Sequence, residues 1–285
     1  LADDVVTSSD AALESEPTVA FITCAASKHV SIGIQLARFG VDLFIEKPLS
    51  DRMNGVDELI REVKNRNLIL MVGYNFRFLK SLNLFRNYVL NKRVGEVYSV
   101  RAEVGQYLPD WRSADYRQSV SGRRALGGGG VSELSHELDY LRWIFGDVRD
   151  VSANLKKVSH LEIDVEDTAD IFLEFESEVV ANLHLNMIQR APSRTCTVHG
   201  ELGVIFWNGL TGQVSYFHCD LGQWKELSPP NPAERKDSYV DEVTHFFDCV
   251  KSRETPLIGG GDACQVLELI LAIKRSSVEG CRVRI

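Results

Sequence analysis

Two residues have the type and the setting for chemistry. Lys47 stands in Glu46-Lys47-Pro48, directly after the short apolar run 41–45, Val-Asp-Leu-Phe-Ile. Such a run reads as a strand buried on both faces of a parallel sheet, and ligands of these sheets bind beyond the carboxyl ends of the strands. An ammonium there can bind a substrate hydroxyl or polarise a carbonyl, although a solvent-facing lysine at a strand end has the same sequence. His136 is the second. Glu133, His136 and Tyr140 recur at spacings of three and four on one side of an expected helix, apart from the apolar stripe Leu134, Leu138, Leu141, Ile144 and Phe145. A carboxylate three residues ahead can orient an imidazole that acts as general base; a polar helix face in solvent reads alike. Asp139 and Arg142, on the same segment, are expected to be structural or exposed.

Other groups carry weaker signals. Tyr107, Trp111, Tyr116 and Arg117, with Asp110, Arg112, Asp115, Arg123 and Arg124, fall in a stretch without periodicity. Aromatic faces beside arginines and carboxylates suit a polyhydroxylated or anionic small ligand, and a packed surface loop is the alternative. The run Gly127–Gly130 lacks the preceding strand and the Lys-Ser/Thr of a phosphate loop, so its glycines are expected to let backbone pass close to a ligand. There is no H-E-x-x-H, no G-x-S-x-G and no metal-spaced Cys/His set, so no metal is expected. His160, His184, His199, His218 and His245 read as isolated structural histidines, whereas His29 stands where strands end.

These residues need elements to position them. Residues 18–24, 41–45 and 68–72 read as strands, with helices over 28–39 (capped by Ser27) and 53–66 between them. Strand–helix alternation with short joins is a parallel α/β sheet, and it brings Cys24–Ser27, Glu46–Pro48 and Gly73–Arg77 to one edge. Beyond about residue 95 the pattern changes to alternating runs at 97–106, 148–157, 168–176, 179–188, 194–199, 203–207 and 213–218, with helices over 132–145, 239–251 and from about Asp262. That is an α+β domain with an open, largely antiparallel sheet, and an open sheet face predicts a homo-oligomer. The expected division is residues 1–95 and 96–285.

Composition narrows the classes. The chain has 285 residues, 44% hydrophobic and 25% charged, with net charge −8 and no basic stripe, which argues against nucleic acid. Six scattered cysteines without a C-x-x-C read as reduced thiols of a cytoplasmic protein. No apolar run reaches the roughly 18 residues of a membrane span, and no secretory segment opens the chain.

Taken in order, Val19–Cys24 with His29, Glu46-Lys47-Pro48, Gly73-Tyr74-Asn75-Phe76-Arg77-Phe78, Gly128-Gly129-Gly130-Val131 running to His136 and Asp139, Glu166-Asp167-Thr168-Ala169, Gly200-Glu201-Leu202-Gly203 and the closing Pro256 to Gly280 pattern resemble the glucose–fructose oxidoreductase / inositol dehydrogenase (Gfo/Idh/MocA) family. The resemblance spans nearly the whole chain. It implies a Rossmann-type parallel sheet followed by the α+β domain, which binds substrate and makes dimers or tetramers. It implies NAD or NADP and a sugar, cyclitol or nucleotide-sugar substrate. By this similarity Cys24, Ala25, Ser27, His29, Glu46, Lys47, Asn75 and Arg77 line the cofactor, and the Lys47–Pro48 bond, often cis in the family, would then aim the lysine inward. Lys47 would hold the reacting hydroxyl, His136 would take its proton, and Glu133 would assist. Tyr107, Trp111, Tyr116, Arg117 and the stretch Ile188–Arg194 would meet the substrate. Two features depart from the family pattern. The Asp usual four residues before the histidine is Ser132 here. None of the 21 glycines gives G-x-G-x-x-G after a strand, so the Rossmann sheet is expected to be N-terminally incomplete and these residues alone to turn over little. The same fold also admits a glycosidase working through transient oxidation, or a regulator that binds the nucleotide without turnover.

Overall fold

The computed structural model describes residues 5–111 and 114–285. The chain divides into two compact units, residues 1–74 with 243–267, and residues 75–242 with 268–285. A single cut near residue 95 therefore does not reproduce the units, because 75–94 pack with the second and 243–267 with the first.

The first unit contains α1 (Ser9–Leu13), β1 (Val19–Ile22), α2 (Ala26–Arg38), β2 (Asp42–Glu46), α3 (Val56–Asn65) and β3 (Leu70–Gly73). The strands form a parallel sheet in the order β1-β2-β3, in register from Val19↔Asp42 to Ile22↔Ile45 and from Leu43↔Leu70 to Glu46↔Gly73. Their carboxyl ends lie level at one edge. Helix α3 turns Val56, Leu59 and Val63 inward, as its spacing predicts. Gly33 of α2 faces Leu59, whose methyl carbons lie 3.2 and 3.3 Å from where a Cβ would stand, so the absent side chain sets how closely the two helices pack. The buried Asp42 accepts Ile69 N–H at 2.8 Å and both contacts of Arg253, which ties residues 243–267 to this sheet.

The second unit contains α4 (Lys80–Leu90), β4 (Val97–Tyr107), α5 (Gly130–Glu133), α6 (His136–Phe145), β5 (Val148–Lys156), β6 (Thr168–Phe175), β7 (Val180–Asn186), β8 (Ile188–Gly200), β9 (Gly203–Asn208), β10 (Gln213–His218) and β11 (Gln223–Ser228). Helices α7 (Glu234–Ser252) and α8 (Gly260–Glu279) and the short β12 (Val283–Arg284) complete the chain. The nine-stranded sheet runs β11-β10-β9-β8-β4-β7-β6-β5-β12, and β4–β7 is its one parallel pairing among the described residues. Its inward faces alternate as the sequence predicts, with Ile171, Leu173 and Phe175 or Ala181, Leu183 and Leu185 buried.

Four expectations change. Ser27 does not cap α2; the helix begins at Ala26 behind Ala25, without a side-chain cap. The helix expected over 132–145 is two helices, broken at Leu134–Ser135. Helix α7 starts five residues earlier than the apolar stripe suggests. Helix α4 and strand β11 were not expected: α4 lies across a region read as a boundary, and β11 carries mostly exposed residues.

Candidate active site

The first unit supplies the edge at the ends of β1, β2 and β3. After β1 the chain passes through exposed Cys24 and half-buried Ala25 into α2. After β2 comes half-buried Lys47, joined to Pro48 by a cis peptide bond. The Glu46 carboxylate accepts Lys47 N–H at 3.2 Å and lies against Gly73, where a Cβ would stand 3.3 Å from it. His29 ties these segments together. It is 1% exposed, with Nδ1 3.0 Å from the Pro48 carbonyl oxygen and Nε2 2.9 Å from that of Cys24. Both partners are acceptors, so a neutral ring can satisfy only one at a time. His29 therefore shapes the edge from behind, with its polar atoms turned to backbone rather than to a ligand.

This edge fits part of a nicotinamide nucleotide. Small side chains at Cys24, Ala25 and Ser27 leave the uncapped start of α2 approachable, and Glu46 and Lys47 add an acceptor and a cation to the same edge.

His136 belongs to the second unit. It opens α6, and its imidazole stacks on Phe76 with centroids 4.2 Å apart and planes 8° from parallel. Because the helix breaks at Leu134–Ser135, Glu133 and His136 do not share one helix, and the i, i+3 argument for Glu133 loses its basis. Glu133 instead accepts the Ser121 hydroxyl at 2.9 Å. Tyr140, grouped with them on a polar face, is fully buried against Trp207 at 5.5 Å, and burial pushes its hydroxyl well above the ordinary range. Asp139 and Arg142 are buried and ion-paired, Asp139 to Arg77 at 2.7 Å and Arg142 to Asp147 at 2.5 Å.

Asn75 and Arg77 are likewise turned to protein. Asn75 donates to Ser238 Oγ at 2.9 Å, and Arg77 holds Asp139 through two bonds of 3.1 and 2.7 Å. Two of the four glycines, Gly128 and Gly129, crowd protein rather than awaiting a ligand. At Gly128 a Cβ would fall 2.0 Å from the Val120 carbonyl oxygen, and at Gly129 it would fall 2.6 Å from the Glu166 carboxylate. Glu166 accepts Val131 N–H at 3.2 Å and so caps α5 from outside the helix; spacing offered no sign of it.

The aromatic loop is only partly assembled as a site. Trp111 and Tyr116 line a cleft of about 180 Å³ with Leu108, Gln118 and Ser121. Arg117 is exposed and engaged by Asp115 at 2.9 Å and Glu162 at 3.3 Å, the Asp115 bond being the main cause that raises its pKa. Tyr107 sits apart from that cleft under Arg190, whose guanidinium carbon is 3.6 Å from the ring centroid. Arg112 lies outside the described residues. Arg194, expected among the substrate contacts, is buried with Glu137 at 2.9 Å. Among the described residues the one grouping of metal-ligand types is His218, Cys219 and Asp220 at the β10–β11 turn, where His218 Nδ1 already accepts Asp220 N–H.

Comparison with known proteins agrees with this architecture. Residues 2–74 match the family model described as oxidoreductase family, NAD-binding Rossmann fold, and residues 83–206 match the GFO/IDH/MocA C-terminal domain. The chain belongs to the Gfo/Idh/MocA oxidoreductase family. Among relatives of the family, myo-inositol 2-dehydrogenase of Thermotoga maritima is 29% identical over 281 residues, covering 95% of this chain and 81% of that protein. Levoglucosan dehydrogenase of Pseudarthrobacter phenanthrenivorans is 30% identical over 135 residues, covering 45% of this chain and 33% of its own. The solved structure of GenD2 from gentamicin A biosynthesis in complex with NAD superposes with a TM-score of 0.84 at 24% identity, covering 99% of this chain and 82% of that one, a likeness of fold. As a Gfo/Idh/MocA member the chain is an NAD-dependent oxidoreductase. No helix among the described residues is long and apolar enough to cross a membrane.

Proposed function

We propose that this chain oxidises, or in reverse regenerates, a secondary alcohol of a sugar-like ring, with Lys47 and His136 as its catalytic residues. The observation that carries the reading is His136 itself, a half-buried imidazole at the start of α6 held flat by Phe76. His136 Nδ1 is buried, so Nε2 is the nitrogen that takes the hydroxyl proton. Lys47 donates a hydrogen bond to the same class of oxygen and stabilises negative charge as it develops there. Cys24, Ala25, Ser27, Glu46 and Lys47 would hold NAD, which when bound supplies the hydride acceptor. His29 supports them by fixing the Cys24 and Pro48 carbonyls. Trp111 and Tyr116 offer aromatic faces to a ring bearing hydroxyls; Tyr107 and Arg117 border the same loop. Myo-inositol and levoglucosan, named for two relatives, are polyhydroxylated rings, and such rings are the substrates to try first.

The second unit also supports a homo-oligomer. One face of its sheet forms a groove of about 800 Å³ lined by Arg101, Glu103, Asp170, Phe172, His184 and Thr197, more polar than an ordinary protein core. Light scattering after gel filtration reads the assembly. A cytoplasmic setting suits the six free cysteines.

The deciding experiment is NAD reduction across a panel of cyclitols, sugars and nucleotide sugars, with Lys47→Ala and His136→Ala. Each substitution should lower kcat by about 10² or more. Near-normal turnover in both variants overturns the assignment, and NAD binding without turnover across the panel points to a regulator.

A further inference from the structure

The residues behind His136 form a closed ring of contacts. The His136 imidazole stacks on Phe76 at 4.2 Å, and the Arg194 guanidinium carbon lies 4.6 Å from the same ring centroid. Phe76 is thus shared between the imidazole and the guanidinium. Arg194 is in turn ion-paired at 2.9 Å with Glu137, the residue that follows His136, and both side chains are buried, 4% and 0% exposed. The guanidinium is therefore linked to the base by two routes, through Phe76 and through Glu137, its backbone neighbour. The surroundings leave the stack little freedom. Trp207 packs edge-on to Phe76 at 6.3 Å and is pinned by its Nε1–H to Ser81 Oγ at 2.9 Å. Gly209 lacks the Cβ that would stand 2.8 Å from Arg194 Cγ.

We propose that Arg194 is a positioning residue for His136: held by Glu137, it presses Phe76 flat against the imidazole and fixes the plane in which Nε2 meets substrate. The inference rests on the reading of His136 as the proton acceptor. A flat guanidinium suits this place better than an ammonium, because it can stack and pair at once. The other charged and titratable groups around α6 have partners of their own or are held neutral. Arg77, from the turn Asn75–Phe78, is matched by Asp139. Burial holds Cys196 of β8 and Tyr140 as neutral acids. Glu133 of α5 accepts from Ser121, Lys274 of α8 donates to Ser132, and Arg86 of α4 lies over Trp143. Arg194 and Glu137 are thus the pair whose unbalancing should reach His136 most directly.

The test uses the full protein in five forms besides the natural one: Arg194→Met, Arg194→Lys, Glu137→Gln, the double variant Glu137→Gln/Arg194→Met, and His136→Ala. Steady-state rates against pH are paired with a histidine carbon NMR titration without substrate, in which the His136 signal is assigned by its loss in His136→Ala. Arg194→Met leaves a carboxylate beside the ring and should move the His136 titration up; Glu137→Gln leaves a cation and should move it down; the double variant should return it toward the natural value. In Arg194→Met, kcat should fall about tenfold with KM changed less than about twofold, because geometry is lost and binding is not. Arg194→Lys should restore the titration but only part of kcat. A purely structural pair would lower stability in every variant without opposite shifts. The double variant leaves no lone buried charge, so it and Arg194→Lys decide the matter if Arg194→Met fails to fold. Shifts of one sign, or none, together with an unchanged kcat in Arg194→Lys, overturn the proposal. If His136→Ala retains turnover while the opposite shifts appear, the assignment of the base fails and the clamp stands.

Discussion

The glycine run ahead of His136 gives a graded prediction. Gly128 has the Val120 carbonyl oxygen 2.0 Å from an added Cβ, whereas ordinary contact begins at 3.4 Å. The obstacle is backbone, so Gly128→Ala must push two chain segments apart on the order of 1 Å, at about 3 kcal/mol. Gly129 has φ +123° and meets the Glu166 carboxylate at 2.6 Å, a side chain that can swing but only by releasing Val131 N–H. Gly129→Ala should cost about 2–3 kcal/mol, mostly backbone strain. Gly130, the first residue of α5, has its nearest neighbour at 3.5 Å and no positive φ, so Gly130→Ala should be neutral or stabilise by up to about 1 kcal/mol through helix propensity. Urea unfolding with a constant slope reads the three costs. Because Gly128 precedes His136 by eight residues through α5, a displacement of that size should also lower kcat by about 10² in Gly128→Ala and leave it unchanged in Gly130→Ala. Equal losses in Gly128→Ala and Gly130→Ala would refute the view that the run exists to pass close to Val120 and Glu166.

Four other outcomes follow from the same geometry. Asp139→Ala strands the buried Arg77 guanidinium and should cost about 3–5 kcal/mol, while Arg77→Met with Asp139→Leu should cost clearly less; equal costs in denaturation would show that the lone charge is not the penalty. His29→Phe keeps the volume but removes the one N–H that the Cys24 and Pro48 carbonyls share, so stability should drop by about 1–3 kcal/mol and NAD should bind about tenfold more weakly; unchanged affinity in a fluorescence titration would remove His29 from the supporting role. Burial raises both Cys196 and Tyr140, so folding stability present below the ordinary thiol value of 9.0 should decline as pH rises past it, because the unfolded chain then releases protons the folded one retains. Unfolding midpoints that are flat from pH 8 to 10.5 would contradict this, and exposed Cys24, Cys219 and Cys281 should react with a thiol reagent well before Cys196.

Much of the frame was legible because it depends on periodicity. The buried runs of β2 and β3, the inward stripe of α3 and the alternation from β5 to β10 appear in the sequence as they do in the structure, whereas β1, apolar enough to be buried on both faces, buries only Ile22 and leaves Phe21 exposed. The failures have local physical causes. Helix propensity does not register the break at Leu134–Ser135, so Glu133 was read onto the face of His136. Helix α4 does not stand out in the sequence, although Ser81, Leu82, Phe85 and Val89 are its buried positions. Arg77, His29 and Arg194 look like ligand-binding residues by type, yet their partners Asp139, Cys24, Pro48 and Glu137 are chosen by tertiary structure that no spacing encodes. The clamp on His136 belongs to this group: Phe76, Glu137 and Arg194 are spread over more than a hundred positions of sequence.

The place of β4 has a consequence for how the chain acquires its structure. Strands β7 and β8 are consecutive, with Met187 alone between them, yet β4 lies between them in the sheet. The chain crosses the end of β4 there, and Gly105 makes room for Asn186 and Gln189, whose atoms stand 2.6 and 2.0 Å from where its Cβ would be. The hairpins on either side can form from near neighbours, but the central strand is synthesised first and must wait for partners about 80 to 100 residues later. Until it inserts, β7 and β8 each present an open edge able to pair with another chain. Slow closure of that seam, rather than docking of helices, should limit refolding of the second unit, and dilute protein should recover better than concentrated protein.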